Sequence, residues 1–288
     1  MSNAPSAGSR TLSLSRLREV LRDAKSKSLL EELIQTVAND ARAGARAIRA
    51  QAERRLENDR LEDERIAGLM ALRNDLESRG VHGIAGIDEV GVGPLAGSVI
   101  AAAVILPSEI QLRGLDDSKR VRPARRETLA EEIRGVALGV GIGECSVEEI
   151  DQVGIYQAAL EAMRRSVASL SRSTEVGHLL VDARKIPGVS LPQTSIIKGD
   201  QKDASIAAAS IVAKVYRDAQ MERMGERYPA YGFERHMGYG TAFHMAALEE
   251  HGPCPIHRRS FAPVANAERR DRGDRARPAS AFSPAGQA

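Results

Sequence analysis

The sequence contains no tryptophan, only two cysteines and no apolar run long enough to cross a membrane. Cys145 and Cys254 are too few for a disulfide framework and favour a reducing compartment, so we expect a cytoplasmic protein. The N-terminus lacks the apolar segment of a secretory signal. A formal net charge of +2 excludes a strongly basic chain, so nucleic-acid binding would need a local basic face.

Aromatic residues are also scarce, and they are concentrated in one part of the chain. Seven of the nine lie between Tyr216 and Phe261. Such a group can be a hydrophobic layer of the core, or a surface on which rings pack against sugars or bases. The sequence pattern leaves both interpretations open.

The hydrophobic pattern divides the chain into four regions. Residues 1–11 are rich in Ser, Gly, Ala and Pro, and residues 265–288 in Arg, Asp, Pro and Ser, so both are predicted to be disordered. Residues 12–80 predict a helical extension of two helices with a break near Asn39. This extension is either a salt-bridged structural arm or a surface that improves the grip on a nucleic-acid duplex. Residues 81–264 form the main domain.

Within the main domain, three early strands are followed by strands that alternate with helices. This pattern is typical of an α/β fold with a mixed sheet and helices packed on its faces. A capping box is expected at Ser146 and Glu149. The predicted strands are 84–88, 98–106, 136–145, 178–182 and 194–198, and the main predicted helices are 123–134, 154–170, 203–225 and 241–251.

Four acidic residues stand at the ends of predicted strands, and a glycine-rich turn follows the first two. If several strand ends meet at one edge of the sheet, these acids come together, and a cation must then neutralise their like charges. Hard oxygen ligands favour Mg²⁺ or Mn²⁺ over Zn²⁺. Each acid alone could be an ordinary strand-end cap, but the four together favour a metal site. They are Asp88, Glu89, Asp182 and Asp200.

Longer motifs surround these acids. In chain order they are GIDEVGVGPLAG, DDSKRVRPARRE, VDARKIPG, IIKGDQKDASIAAASIVAKVYRD, YPAYGFERHMGYGTAFH and HRRSF. Over roughly residues 81–264 the chain resembles bacterial ribonuclease HII. The resemblance implies a ribonuclease H-like fold in which Asp88, Glu89, Asp182 and Asp200 are the catalytic, metal-binding acids.

The resemblance also implies an activity. The family hydrolyses the phosphodiester on the 5′ side of ribonucleotides, in RNA–DNA hybrids or at single ribonucleotides embedded in duplex DNA. It uses two Mg²⁺ or Mn²⁺ ions and leaves 3′-hydroxyl and 5′-phosphate ends. The expected partner is therefore nucleic acid and no membrane, the expected role is ribonucleotide excision repair, and we expect a monomer.

The substrate contacts that the resemblance implies lie on several motifs. Backbone groups of the turn Gly91, Val92 and Gly93 would contact the 2′-hydroxyl, and Tyr239 would pack on the sugar, although a buried core tyrosine is the alternative. Further expected contacts are Ser118, Lys119 and Lys198, followed by Lys214, Arg258 and Arg259.

The chain departs from the family pattern at three positions. Val92 and Met237 replace residues that are commonly basic, and Ala183 replaces a usual glycine. The lost charges motivate one alternative, a nuclease of the same fold with an altered substrate preference. The helical extension motivates another, a nucleic-acid-binding module with a vestigial site. A zinc site at His251, Cys254 and His257 is disfavoured because only three possible ligands cluster there.

Overall fold

The computed structural model of the chain describes residues 12–275, so the predicted disorder of residues 1–11 lies outside the described residues. The described chain divides into two compact units between Ala67 and Gly68. This division falls upstream of the boundary predicted at residue 80, and the domain limits stay a prediction. Within residues 12–275, no helix is both long and apolar enough to span a membrane.

The N-terminal unit is built from helices α1 (Leu14–Asp23), α2 (Lys27–Thr36) and the first part of α3 (Ala43–Ser78). The predicted first helix is therefore wrong in its length, because it is two helices. The reason is local: the Ser26 hydroxyl accepts a hydrogen bond from the backbone of Leu29 and starts a new helix. A small core holds the helices together, and its buried members include Leu17, Leu21, Leu30, Leu33 and Ile48.

The second unit contains one five-stranded sheet in the order β3-β2-β1-β4-β5. Strands β1, β2 and β3 pair antiparallel, whereas β1 pairs parallel to β4, and β4 parallel to β5. The predicted mixed sheet is thus confirmed, with β1 at its centre. The strands are β1 (Ile84–Val90), β2 (Val99–Ile105), β3 (Gly139–Cys145), β4 (His178–Asp182) and β5 (Gln193–Ile196).

Helices cover the sheet, and two of them approach it unusually closely. A Cβ placed on Gly143 of β3 would lie 2.0 Å from a backbone oxygen of α6, and one on Gly86 of β1 would lie 2.1 Å from the backbone of α7. Only glycine permits such a close approach. The helices are α4 (Pro123–Val136), α5 (Val147–Val153), α6 (Ile155–Leu170), α7 (Ala204–Arg227), α8 (Phe233–His236), α9 (Ala242–His251) and α10 (Ala262–Arg275).

Most predicted elements of the second unit are confirmed, including the capping box of Ser146 and Glu149. The expected disorder from residue 265 is wrong in its first part, since α10 continues to Arg275. Val264 is fully buried in α10, against Leu95 and Leu248, and this contact anchors the helix. The remaining predicted tail, residues 276–288, lies outside the described residues.

Candidate active site

The four predicted acids lie on neighbouring elements of the sheet. Asp88 and Glu89 belong to β1, and Asp182 is the last residue of β4. The register pairs Ile87 with Val181, which sets Asp88 and Asp182 beside each other. Asp200 follows β5, in a single 3₁₀ turn. Because β1, β4 and β5 are parallel, their carboxyl ends meet at one edge, and the acids are gathered there.

Asp88 is the most deeply placed of these acids, with 7% of its surface exposed. Burial raises the pKa of its carboxyl well above the usual range, and the charges of Glu89 and Asp182 raise it further. The neighbouring Ser210 hydroxyl opposes the rise. The backbone N–H of Glu89 also donates to Asp88 Oδ1 at 2.8 Å. The protein therefore stabilises the Asp88 charge only in part.

Glu89 has a buried carboxylate oxygen that a bound ligand would stabilise. Its Oε1 lies 3.2 Å from a guanidinium nitrogen of Arg184. Its Oε2 is buried and has no hydrogen-bond partner among the described residues. Burial raises the pKa of Glu89, while Arg184 lowers it. A buried carboxylate oxygen without a donor is costly unless something binds it.

Asp182 and Asp200 are linked through the backbone between them. The N–H of Gly199 donates to Asp182 Oδ1 at 2.7 Å, which fixes the turn that carries Asp200. Lys198 precedes this turn in the left-handed conformation, with φ of 56°, and its side chain is exposed. Burial raises the pKa of Asp200 to about 6, and the neighbouring Asp117 adds to the rise.

Asp117 is a fifth acid that the sequence analysis did not select. It is 7% exposed and accepts hydrogen bonds from the Lys119 backbone at 2.9 Å and from the Gln201 amide at 3.3 Å. It therefore connects the loop after β2 with the turn of Asp200. The signal was available, because Asp117 stands directly before Ser118 and Lys119 in the DDSK motif.

The Lys119 and Ser118 side chains take different positions. Although burial opposes it, the charges of Asp117, Asp88 and Asp200 raise the pKa of Lys119, so its ammonium faces the acids. Ser118 is 4% exposed, and its hydroxyl accepts a hydrogen bond from Ser210 at 2.9 Å. As placed, Ser118 is part of the support beneath the site.

The donor set fits a divalent cation. Four carboxylates with hard oxygens lie at one edge of the sheet, the pKa values of three are raised, and one buried oxygen lacks a partner among the described residues. Across residues 12–275, no three acidic, histidine or cysteine side chains already stand close enough together to hold one ion.

Two buried arginines donate hydrogen bonds to backbone carbonyls in and around the glycine turn. Arg258 is fully buried and donates to five backbone carbonyls, those of Gly91, Val92, Pro94, Gly97 and Ser98. Arg217, also fully buried, donates to the carbonyls of Ala96, Ser98 and Met237. Gly91 has φ of 87°, and a Cβ there would lie 2.2 Å from Arg217.

Two of the secondary contact candidates are engaged inside the protein. Arg258 cannot reach a phosphate, so that expectation is wrong: its role is to hold the glycine turn. Lys214 forms a 2.5 Å ion pair with Asp218 and is largely buried. Arg259 lies at the surface, where its side chain is 48% exposed and pairs with Glu268.

Tyr239 lies beside the glycine turn. Its side chain is partly exposed, and its ring would be 3.5 Å from a Cβ on Gly93. The alternative of a fully buried core tyrosine does not hold for this residue. Two of the unusual positions, Ala183 and Met237, adopt left-handed backbone with φ of 52° and 50°. Glycine adopts this conformation more easily, which explains the family preference at position 183.

The chain is similar to several known proteins. The family model described as Ribonuclease HII matches residues 85–264. A ribonuclease HII from Geobacillus thermodenitrificans is 51% identical over 228 residues, covering 79% of this chain and 87% of that protein. One from Bacillus mycoides is 47% identical over 234 residues, covering 81% and 90%. The structure of ribonuclease H2 from Pyrococcus horikoshii OT3 superposes with a TM-score of 0.57 at 26% identity, covering 66% of this chain and 98% of that one.

Proposed function

The chain belongs to the ribonuclease HII family and is an endoribonuclease of the ribonuclease H type, and we propose that it cuts on the 5′ side of ribonucleotides. The proposed substrates are RNA–DNA hybrids and DNA duplexes with a single embedded ribonucleotide, and the products carry 3′-hydroxyl and 5′-phosphate ends. We also propose a role in ribonucleotide excision repair. The observation that carries this proposal is the buried carboxylate cluster with the unpartnered Glu89 oxygen.

Asp88, Glu89, Asp182 and Asp200 would hold two Mg²⁺ or Mn²⁺ ions. Such ions, when bound, supply Lewis-acid stabilisation of the charge on the scissile phosphate. The protein prepares the site by keeping the acids on rigid elements, at strand ends and in the turn held by Asp182. The raised pKa values of Asp88, Glu89 and Asp200 report the mutual repulsion and burial that a cation would relieve.

Recognition of the ribose would use the glycine turn that directly follows β1. The 2′-hydroxyl, which both donates and accepts hydrogen bonds, is what separates RNA from DNA. The backbone of Gly91, Val92 and Gly93 would contact it, with Tyr239 packed on the sugar. The rigid support of this turn by Arg258 and Arg217 favours such a reading, because a backbone contact discriminates only if the backbone cannot move.

Lys119 is the best placed of the proposed phosphate contacts, since its ammonium already faces the acids. Lys198 is exposed next to Asp200 and could reach the backbone of the substrate. Such contacts position the nucleic acid and strengthen binding through counterion release. Ser118 would act indirectly, through its hydrogen bond with Ser210.

A second candidate function is a nuclease of the same fold with a different substrate preference. Val92 and Met237 favour it, because both remove a charge from the surface near the glycine turn. A lost hydrogen bond to a charged group costs about 1.5–3 kcal/mol, which corresponds to tenfold or more in affinity.

Cleavage of an end-labelled DNA duplex with one ribonucleotide, mapped to the nucleotide, tests the proposal. The reaction is run with Mg²⁺, Mn²⁺ or chelator, beside an all-DNA duplex, a long RNA–DNA hybrid and the Asp88→Asn variant. A metal-dependent cut 5′ of the ribonucleotide, absent in the variant, supports it. Cleavage of the hybrid alone, or of the all-DNA duplex, favours the second candidate.

A further inference from the structure

A buried pair of histidines lies directly behind Tyr239. His244, on α9, and His257, in the segment after it, are 0% and 1% exposed. Their Nε2 atoms are 3.0 Å apart. Two nitrogens at that distance need one proton between them, so one ring donates and the other accepts. The proposed function uses neither histidine.

The outer contacts of the pair fix where each proton lies. His257 Nδ1 is 3.0 Å from the backbone N–H of Cys254, so Nδ1 must accept and the proton sits on Nε2. His244 Nδ1 is 2.9 Å from the carbonyl of Tyr239, which can only accept, so this Nδ1 carries the proton. His257 Nε2–H therefore donates to His244 Nε2.

The surroundings keep both rings neutral. Burial lowers the pKa of His257 to about 4, and the neighbouring His244 adds to the effect. Burial also lowers the pKa of His244. The rings of His236 and His244 stack with centroids 4.6 Å apart, and Phe233 meets His244 edge-on. An additional proton on His244 Nε2 would break the contact between the two rings, and one on His257 Nδ1 would break the contact with Cys254, so one proton arrangement is selected.

The relay connects the two parts of the proposed ribose-reading surface. At one end His257 forms a β-bridge with Ala96, next to the glycine turn. At the other end His244 holds the carbonyl of Tyr239, whose ring approaches Gly93. The N–H of Leu95 donates to the Gly238 carbonyl at 2.8 Å and closes the same loop. The contact of His244 with the Tyr239 carbonyl thus adds to the backbone bond of Leu95 in setting the spacing between Tyr239 and the glycine turn.

We infer that His244 and His257 are positioning residues that set Tyr239 against the glycine turn through a relay with fixed protons. The inference deepens the proposed function and rests on it. It assigns to the pair an effect on binding and sugar discrimination, since neither histidine reaches the carboxylates or the reacting phosphate.

Two substitutions of one residue separate this role from general stability. His244→Asn places an amide N–H near the position of Nδ1 and keeps the donor to Tyr239, but it loses the contact with His257. His244→Gln reaches the position of Nε2 and keeps the contact with His257, but it loses the donor to Tyr239. Each variant gives up one hydrogen bond, so similar losses in melting temperature are expected.

Their kinetics should differ. For a duplex with one ribonucleotide, His244→Gln should raise KM about three- to tenfold with kcat nearly unchanged, as expected for one neutral hydrogen bond. His244→Asn should stay within about twofold of the unmodified protein, because its amide N–H donates to Tyr239 without a ring tautomer that His257 must fix. In a Tyr239→Ala background, His244→Gln should have no further effect on KM, because the residue that it positions is gone.

The outcomes distinguish the possible errors. If the unmodified protein does not cut at the ribonucleotide, the proposed function fails. If it cuts and Tyr239→Ala raises KM, but both His244 variants raise KM equally or add fully to Tyr239→Ala, the relay has no positioning role.

A measurement on the unmodified protein keeps the test valid even if the variants do not fold. Long-range ¹H–¹⁵N correlation spectra of histidine-labelled protein report each tautomer. We expect the Nδ1–H form for His244 and the Nε2–H form for His257. The opposite assignment for either ring, or a charged ring near neutral pH, would overturn the relay.

Discussion

Arg258 provides the sharpest test of how the glycine turn is held. Replacing it with methionine keeps a long, flexible side chain in the buried space but removes every donor. The structure predicts a large loss of stability, because Arg258 is fully buried and donates to five carbonyls, of which that of Ser98 also accepts from Arg217. Burial lowers the pKa of Arg258 to about 9, so it is still charged at neutral pH and donates from a guanidinium.

The magnitude follows from the carbonyls left behind. Losing a charged donor costs about 1.5–3 kcal/mol for each buried acceptor, although water and a shifted backbone can satisfy some of them. Removing the buried charge also returns part of its desolvation cost, so a net loss of about 3–5 kcal/mol is expected. For a unit of this size that lowers the melting temperature by about 6–20 °C. The acceptors are Gly91, Val92, Pro94, Gly97 and Ser98.

Arg259→Met is the matched control, since it makes the same change at the next residue. The Arg259 side chain is half exposed and forms a surface pair with Glu268, worth about 0–1 kcal/mol. Thermal and urea unfolding of both variants, followed by cleavage of the ribonucleotide-containing duplex, gives the comparison. If Arg258→Met melted within about 2 °C of the unmodified protein, the carbonyl contacts would not hold the turn and the reasoning would be refuted.

Three further predictions follow from burial. In chelator, Asp88→Asn should raise the free energy of unfolding by roughly 1 kcal/mol or more because it removes a buried like charge, and a less stable variant in urea unfolding would contradict this; with Mg²⁺ present, the same variant should abolish cleavage. Burial raises the pKa of Asp203 to about 6, so its contribution to stability falls as pH rises from about 4 to 6. In urea titrations, Asp203→Asn should therefore raise the free energy of unfolding by about 1–3 kcal/mol at pH 8 but change it little at pH 4. Gly143→Ala should lower the melting temperature by 5 °C or more, through a loss of about 2 kcal/mol or more from the clash with α6; Gly135→Ala, with open space around it, should not.

The sequence predicted the sheet well because its strands are short apolar runs with turn residues between them. Glycines alternate along β3 in the sequence, but the sequence does not show the reason: Gly141 and Gly143 admit the backbone of α6, which a pattern of single residues cannot reveal. The break between α1 and α2 was missed because the leucines on both sides of it keep helical spacing. The break depends on Ser26, whose hydroxyl accepts a backbone hydrogen bond and starts α2.

The candidate site was predictable only where chemistry is local. Acids at strand ends pointed to their shared edge, because parallel strands bring such ends together. Asp117 was not selected as a site residue, and Arg258 was expected to contact phosphate; both errors have the same physical reason. Their partners, Gln201 and the glycine turn, are distant in sequence, so burial could not be inferred from the neighbouring residues.

Different parts of the structure hold the residues proposed for hydrolysis and those proposed for recognition of the sugar. The acids depend on β1, β4 and the turn after β5, whereas the glycine turn and Tyr239 depend on Arg217, Arg258 and the histidine relay. The departures at Val92 and Met237 lie only in the second group. If the proposed function holds, they should therefore alter affinity and the choice of sugar while the rate of hydrolysis at saturating substrate persists. Restoring charge by Val92→Arg should tighten binding and steepen its salt dependence by about one counterion, without a matching change in kcat.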